Sequence, residues 1–370
     1  MRKITVGLIG ATGEVGRSFV ECLDSHPYFE LNELYASERS AGKRYGDLVT
    51  DNRAIGDSRE KSIKNISEIK AEDNDIYFSA IPSSMAFEIE GEIARARPIF
   101  STTSAYRYEP EVPIIVPGAN EDHCNLLTVQ KEKRGYKGFI CPQSNCTTVG
   151  LVLSLKPLHD RFGVREVFMA SHQAVSGAGR ELEIRWSEQR SRQGIKIPKA
   201  IYYKDKTNEP IIEGNVIPYI KDEERKVINE TKKILGRFAG NEIIPASIKI
   251  AASCNRVPVK DGHLEDVFIF MEKSSPIEDV INAWEMYRAR YQKFNLPSAP
   301  SQPIIYLHDI DAPQPRFDIS REDGMAVIIG RLQKNELGGL QYKVLSHNTK
   351  LGAAKGCVLT AEYLSAIKFI

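Results

Sequence analysis

Cys146 lies in Pro142-Gln143-Ser144-Asn145-Cys146-Thr147-Thr148-Val149-Gly150, between a β-type run over 138–141 and an apolar helix start over 149–156. A thiol at a strand-to-helix junction sits at the positive end of the helix dipole, faced by backbone N–H groups. That placement lowers a cysteine pKa and raises the thiolate fraction at neutral pH. The same N–H groups can hold a developing oxyanion. An ordinary buried cysteine accounts for the residue type equally well. Asn145, Thr147 and Thr148 beside it favour chemistry.

A second signature is Gly7-Leu8-Ile9-Gly10-Ala11-Thr12-Gly13-Glu14-Val15-Gly16, which ends an apolar strand over 3–9 and opens a helix over 15–24. Glycines at 10, 13 and 16 form a G-x-x-G-x-x-G variant of the dinucleotide loop. It supplies a tight turn, close approach to a pyrophosphate and a helix N-terminus for the phosphate. Contacts are expected at Gly10, Thr12, Gly13, Glu14 and Val15. After the next strand, 31–35, the chain reads Ala36-Ser37-Glu38-Arg39-Ser40. A guanidinium fork at Arg39 with hydroxyls at Ser37 and Ser40 suits the 2′-phosphate of NADP. Glu38 pulls towards NAD, and NADP is the expected cofactor.

These residues need a scaffold. Further β-type runs at 75–80 (with Ser79 near its end), 98–101, 114–116 and 138–141 alternate with helical segments and predict a parallel sheet. Beyond Cys146 come β-rich segments at 166–173, 247–252, 263–272, 325–332 and 340–345, several with one polar face, as in a mixed or antiparallel sheet covered on one side. Helices are predicted over 222–235 and 276–294. Residues 187–213 read as a loop or a partner-facing excursion. An Ala-rich helix over 348–370 is expected to pack back onto the first domain. The fold class is therefore α/β: a Rossmann-like NADP-binding domain (1–145 and 347–370) plus an α/β catalytic and dimerisation domain with a mixed sheet (146–346).

Composition narrows the class. With 50 basic and 49 acidic residues among 370, there is no electrostatic footprint for nucleic acid or an anionic membrane. No run approaches the roughly 18 apolar residues of a membrane span. Met1-Arg2-Lys3 followed by a strand lacks the apolar region of a signal peptide. Six scattered cysteines show neither metal-ligand pairs nor a disulfide framework. A cytoplasmic protein without a bound metal is expected.

Ser-Asn-Cys-Thr-Thr around Cys146, the early glycine loop and Arg256-Val257-Pro258-Val259-Lys260-Asp261-Gly262-His263 together resemble the aspartate-β-semialdehyde dehydrogenases of the archaeal and fungal type. Gln173-Ala174-Val175-Ser176-Gly177-Ala178-Gly179, Asn229-Glu230-Thr231-Lys232-Lys233 and Ser346-His347-Asn348-Thr349 extend the likeness over nearly the whole chain. The resemblance implies NADPH-dependent reductive dephosphorylation of β-aspartyl phosphate to aspartate semialdehyde, a step towards lysine, methionine and threonine. It implies Cys146 as the nucleophile of a thioacyl enzyme, His263 as general acid/base and Gln173 as an orienting group. Arg256 would meet the substrate carboxylate, Glu230 its ammonium group, and Lys233 and Arg107 the phosphate. Asn145 joins the substrate set; Ser79, Gly177 and Asn348 join the cofactor set. A homodimer or homotetramer is implied.

The roles are chemically coherent, since a thiolate adds to an acyl phosphate or aldehyde and hydride moves at the same carbon. Away from the resemblance, His263 reads as a structural histidine and Glu230 with Lys233 as a helix-face ion pair. The chain departs from the family pattern at Arg180-Glu181-Leu182, where an aromatic-Pro-Gly segment is usual, at Pro117-Gly118-Ala119-Asn120, and at Lys355. Malonyl-CoA reductase on the same scaffold is the nearest alternative; Glu230 favours an amino-acid substrate. N-acetyl-γ-glutamyl-phosphate reductase shares the chemistry at a greater distance. A non-catalytic NADP sensor would need only the glycine loop and Arg39.

Overall fold

Ile4-Thr5-Val6-Gly7-Leu8-Ile9 is apolar and largely β-branched, and it forms β1 (Ile4–Ile9), buried over its last four residues. The computed structural model describes residues 2–49, 56–191 and 211–370. After β1 come α1 (Glu14–Leu23), β2 (Phe29–Ala36), α2 (Tyr45–Leu48), β3 (Ile63–Asn65), β4 (Ile76–Ser79), α3 (Ser83–Ala94), β5 (Ile99–Ser101), α4 (Asn125–Arg134) and β6 (Ile140–Pro142). The six strands are all parallel in the order β3-β2-β1-β4-β5-β6. The order reverses between β1 and β4, so the loops leaving these two strands flank the crevice where doubly wound sheets bind ligands.

The predicted strand over 114–116 does not form. Prolines at 113 and 117 bracket it, and Asn120 takes the place of a strand partner. Its Oδ1 accepts from Val116 N at 2.8 Å and its Nδ2 donates to Ile114 O at 2.8 Å. The three-residue β3 at the opposite edge was too short to leave a periodic signal.

Helix α5 (Cys146–Phe162) then leads into the second sheet, which comprises β7 (Val164–Gln173), α6 (Arg180–Ser191), α7 (Glu223–Ile234), the two-residue pair β8 (Arg237–Phe238) and β9 (Ile243–Ile244), β10 (Lys249–Arg256), β11 (His263–Met271), α8 (Ile277–Glu285), β12 (Ile304–Leu307), α9 (Pro315–Asp318), β13 (Val327–Lys334), β14 (Leu340–Ser346) and α10 (Ala354–Ala366). Its order is β10-β7-β11-β14-β13-β12, with parallel edge pairs and antiparallel centre. Side chains of Val167, Met169, Val267, Ile269, Tyr342 and Val344 alternate onto the face buried beneath the helices. The other face carries Phe168, half exposed, with Phe268 and Phe270.

Three boundaries differ from the sequence reading. Residues 187–191 continue α6 instead of forming a loop; Trp186, with Leu182 beside it, packs on Val175 and Ile212 and donates to Glu213, which leaves almost no apolar period to read. Within that stretch, 192–210 lie outside the described residues. The helix over 276–294 ends at α8, and Gln292 Oε1 accepts from Ala289 N to start a separate 3₁₀ turn. The C-terminal helix starts only at Ala354, because 347–353 turn sharply beside the thiol.

Helix α10 lies against α1. There Glu362, fully buried, accepts from His26 Nε2 at 2.9 Å and from Ser298 N at 3.0 Å. Among the described residues no helix is long and apolar enough to cross a membrane.

Candidate active site

Cys146 is the first residue of α5. Asn145 caps the helix, its Oδ1 accepting from Thr147 N at 2.9 Å and Thr148 N at 3.2 Å, so the polar run around the cysteine is in part a helix-capping device. The rest of the site comes from strand ends. Gln173 ends β7, Arg256 ends β10 directly beside it, and His263 opens the antiparallel β11 on the other flank. Three neighbouring strands thereby deliver three polar groups to one end of the sheet, where α5 begins.

Cys146 Sγ stands 3.3 Å from His263 Nε2. Ala174 N donates to His263 Nδ1 at 3.1 Å, so a neutral ring carries its proton on Nε2, aimed at sulfur. His263 has no solvent exposure. Burial, then Arg256 and His347, push its pKa well below that of a free imidazole. The thiol is pushed the other way: burial, then Glu223, raise Cys146 to about 12, against the pull of Arg256, Arg107 and Lys226. This corrects the expectation of a lowered thiol pKa. Withdrawal of the anion from water outweighs the attraction of the three cations.

Arg256 donates from Nη1 to Ala174 O at 2.5 Å, and its guanidinium makes no other hydrogen bond among the described residues. A Cβ on Gly177 would stand 3.2 Å from Arg256 Nη1 and 3.1 Å from His263 Cε1, so all three share one wall. Glu230, fully buried on α7, holds Arg107 Nη1 at 3.1 Å and Asn145 N at 2.6 Å. Arg107 also donates to Thr102 O at 3.0 Å. Lys233 Nζ donates to the carbonyls of Arg107 and Glu109 at 2.8 and 3.0 Å, and burial pulls its pKa down to about 8. Glu230 and Lys233 thus tie α7 to the 102–109 loop. They are not the helix-face pair that their spacing suggests.

Two residues escaped the sequence reading. Glu223 Oε1 accepts from Asn145 Nδ2 at 2.9 Å, Thr147 Oγ1 at 3.2 Å and Gln173 Nε2 at 3.2 Å. An acidic residue in the first turn of α7 reads as ordinary helix-end charge; only the fold turns it towards the cysteine. Gly352 presses against the cysteine itself, and a Cβ there would lie 2.9 Å from Cys146 Cβ. A lone glycine in a turn carries no such signal.

The glycine loop sits beside this site. Gly10 has φ +84°, and a Cβ on it would lie 2.5 Å from Ala80 O. Gly13 is the N-cap of α1, and a Cβ on it would meet only Gly10 O, at 3.5 Å. Thr12, Glu14 and Val15 share that helix start, the α1 N-terminus offering N–H groups to an anion. Ser37 and Arg39 are exposed just past β2, with Ser40 closing their turn. Ser79 ends β4, and its Oγ is buried without a hydrogen-bond partner. Asn348 is committed to protein: Nδ2 donates to Ser176 Oγ at 2.8 Å and Oδ1 accepts from Gly262 N at 2.9 Å. A loop that leaves a methyl-sized opening at a helix N-terminus, with an arginine at the next strand's carboxyl end, fits an adenine dinucleotide.

A parallel dinucleotide sheet joined to a mixed sheet with a cysteine at their junction defines a class of dehydrogenase. Residues 5–127 match the semialdehyde dehydrogenase NAD binding domain, and residues 155–351 match the semialdehyde dehydrogenase dimerisation domain. Aspartate-semialdehyde dehydrogenase of Archaeoglobus fulgidus is 41% identical over 371 residues, covering 100% of both chains. Its counterpart in Saccharomyces cerevisiae is 38% identical, covering 100% of this chain and 99% of the other. The crystal structure of the Candida albicans enzyme with NADP superposes with a TM-score of 0.83 at 34% identity over 100% of both chains. The chain belongs to the aspartate-semialdehyde dehydrogenase family.

Proposed function

We propose that this protein catalyses the reversible, NADPH-dependent conversion of β-aspartyl phosphate to aspartate semialdehyde and phosphate through a thioacyl bond to Cys146 Sγ. The observation that carries this reading is the 3.3 Å approach of His263 Nε2 to a thiol at a helix N-terminus. Bound at the glycine loop, with Arg39 at its 2′-phosphate, NADPH supplies the hydride.

The chain's own groups do the rest. Arg256 takes the substrate carboxylate and Glu230 its ammonium group. Arg107 and Lys233 meet the phosphoryl oxygens. Their charge offsets the cost of a buried thiolate, so the nucleophile forms when substrate is present. The Sγ proton passes to a phosphoryl oxygen of the substrate as sulfur attacks the acyl carbon, the C–O bond to phosphate breaks and phosphate leaves with the electron pair. Hydride then adds to the thioacyl carbon and the C–S bond breaks, returning the thiolate and releasing the aldehyde. Throughout, the Nε2–H of His263 donates a hydrogen bond, first to the thiolate and then to the oxygen that carries the alkoxide charge. Gln173 and Asn145, both held by Glu223, orient the acyl group. We assign residues 1–145 and 347–370 to cofactor binding and 146–346 to catalysis and dimerisation. The half-exposed aromatic face of the second sheet serves as the homodimer contact.

The test is phosphate-dependent NADPH formation from aspartate semialdehyde, run beside NADPH oxidation with malonyl-CoA. Activity only in the first, and only with phosphate or arsenate, supports this function. Activity only in the second replaces the substrate. Silence in both with NADPH still bound leaves a sensor.

A further inference from the structure

Beneath the carboxyl ends of β4 and β5 lies a carboxyl group for which the reaction has no direct use. Glu90, on α3, has no solvent exposure. Ser101 Oγ donates to its Oε1 at 2.6 Å, and Thr103 Oγ1 lies 3.4 Å from the same oxygen. Its Oε2 and the Oγ of Ser79 are both buried without a hydrogen bond of their own. Two hydroxyls at the end of β5 and in the turn after it therefore converge on one side chain.

The contacts continue outwards. Thr103 N donates to Ser101 Oγ at 3.0 Å, which closes the turn after β5. Thr102 N donates to Ser79 O at 3.0 Å and holds the turn to β4. The carbonyl of Thr102, inside that turn, accepts from Arg107 Nη2 at 3.0 Å. Arg107 then reaches Glu230 through Nη1. The position of the guanidinium thus depends on a turn that is anchored from below by Glu90.

We infer that Glu90 is a positioning residue: it fixes the Ser101–Thr103 turn and so places Arg107 for the phosphoryl group. This rests on the phosphate role proposed for Arg107. An apolar residue at 90 would remove the shorter of the two bonds of the Ser101 hydroxyl, leaving it only Thr103 Oγ1 at 3.0 Å within the same turn, and would cut the turn's tie to α3. A misplacement of about 1 Å at a substrate-orienting group lowers turnover efficiency by as much as about 100-fold. Burial pushes the Glu90 carboxyl up to about 7, with Ser101, Ser79, Thr103 and Arg107 acting against it. The neutral group is therefore populated at neutral pH and still accepts from Ser101, and glutamine at this position reproduces it.

The experiment is steady-state kinetics in the phosphate-consuming direction for Glu90→Met, Ser101→Ala, Glu90→Gln and Arg107→Ala, with NADP affinity measured on the same preparations. Glu90→Met and Ser101→Ala should each raise KM for phosphate about tenfold, with kcat changed less than about threefold and NADP affinity within about twofold. Glu90→Gln should restore KM to within about twofold of the parent. Equal losses of NADP and phosphate affinity, or a Glu90→Gln as impaired as Glu90→Met, overturn the inference by reducing Glu90 to a general support of the sheet. Should Glu90→Met fail to fold, Ser101→Ala decides the matter alone. An unchanged KM for phosphate in Arg107→Ala overturns both the phosphate role and this inference. A raised value there, with phosphate KM unchanged in Glu90→Met and Ser101→Ala, overturns this inference only.

Discussion

His263 meets Cys146 through Nε2 while its Nδ1 is occupied by the Ala174 N–H, so the ring faces sulfur as a hydrogen-bond donor. A base awaiting the thiol proton would need the opposite tautomer. The resting pair is a thiol beside a neutral imidazole, not a preformed thiolate–imidazolium pair. Burial drives both groups to their uncharged forms.

The ligand-free protein should therefore alkylate slowly. With the thiol near 12, thiolate grows only with rising alkalinity, and the iodoacetamide rate at Cys146 should climb without a plateau from about pH 6 to about pH 9. Peptide mapping of the labelled residue, with Cys146→Ser as the blank, reads it. A plateau below about pH 8 would show a preformed thiolate. Cys146→Ser should also lose turnover while binding NADPH nearly as the parent does, because the phosphates sit on the glycine loop.

Glu223→Gln tests the carboxylate that joins Asn145 to Gln173. Its charge raises the thiol pKa, so neutralising it should shift the alkylation profile to lower pH. Its loss should nevertheless reduce kcat about tenfold, since both orienting amides are loosened. A more reactive thiol in a slower enzyme is the expected signature. A faster enzyme would mean that the charge only hinders.

Lys233 gives a prediction in pH. Its ammonium is lost as pH rises through about 8, where phosphate is already dianionic. KM for phosphate should then rise with pH above that point in the parent, and stay flat, at a higher value, in Lys233→Met. A flat profile in the parent would remove Lys233 from the phosphate site.

Arg39→Ala addresses cofactor choice. Removing the guanidinium should weaken NADPH by about tenfold or more while NADH changes little, because only NADPH carries the 2′-phosphate. Fluorescence titration with both nucleotides decides it, and equal losses would sink the assignment.

Much was legible in advance for a physical reason. β1 and the glycine loop announce themselves because an apolar strand, a left-handed turn at Gly10 and a helix start are all local requirements. Cys146 stood out by its place at a strand–helix junction. The strand over 114–116 misled because its apolar residues are buried as a strand's would be, while the side chain of Asn120, and not a neighbouring strand, satisfies the backbone. Trp186 shows the converse: one buried side chain, with Leu182 beside it, docks a mostly exposed helix whose period is too faint to read.

By itself the sequence determined the α/β class, the dinucleotide loop and the cysteine at a helix start, since each follows from the pattern of near neighbours. The tertiary structure alone decided the protonation of the Cys146–His263 pair, the gathering of Asn145 and Gln173 on Glu223, and the pairing of Arg107 with Glu230 across 123 positions of chain. Charge states depend on what excludes water around a group. Strand register and helix docking set that environment, and neither is written in the residues adjacent along the chain.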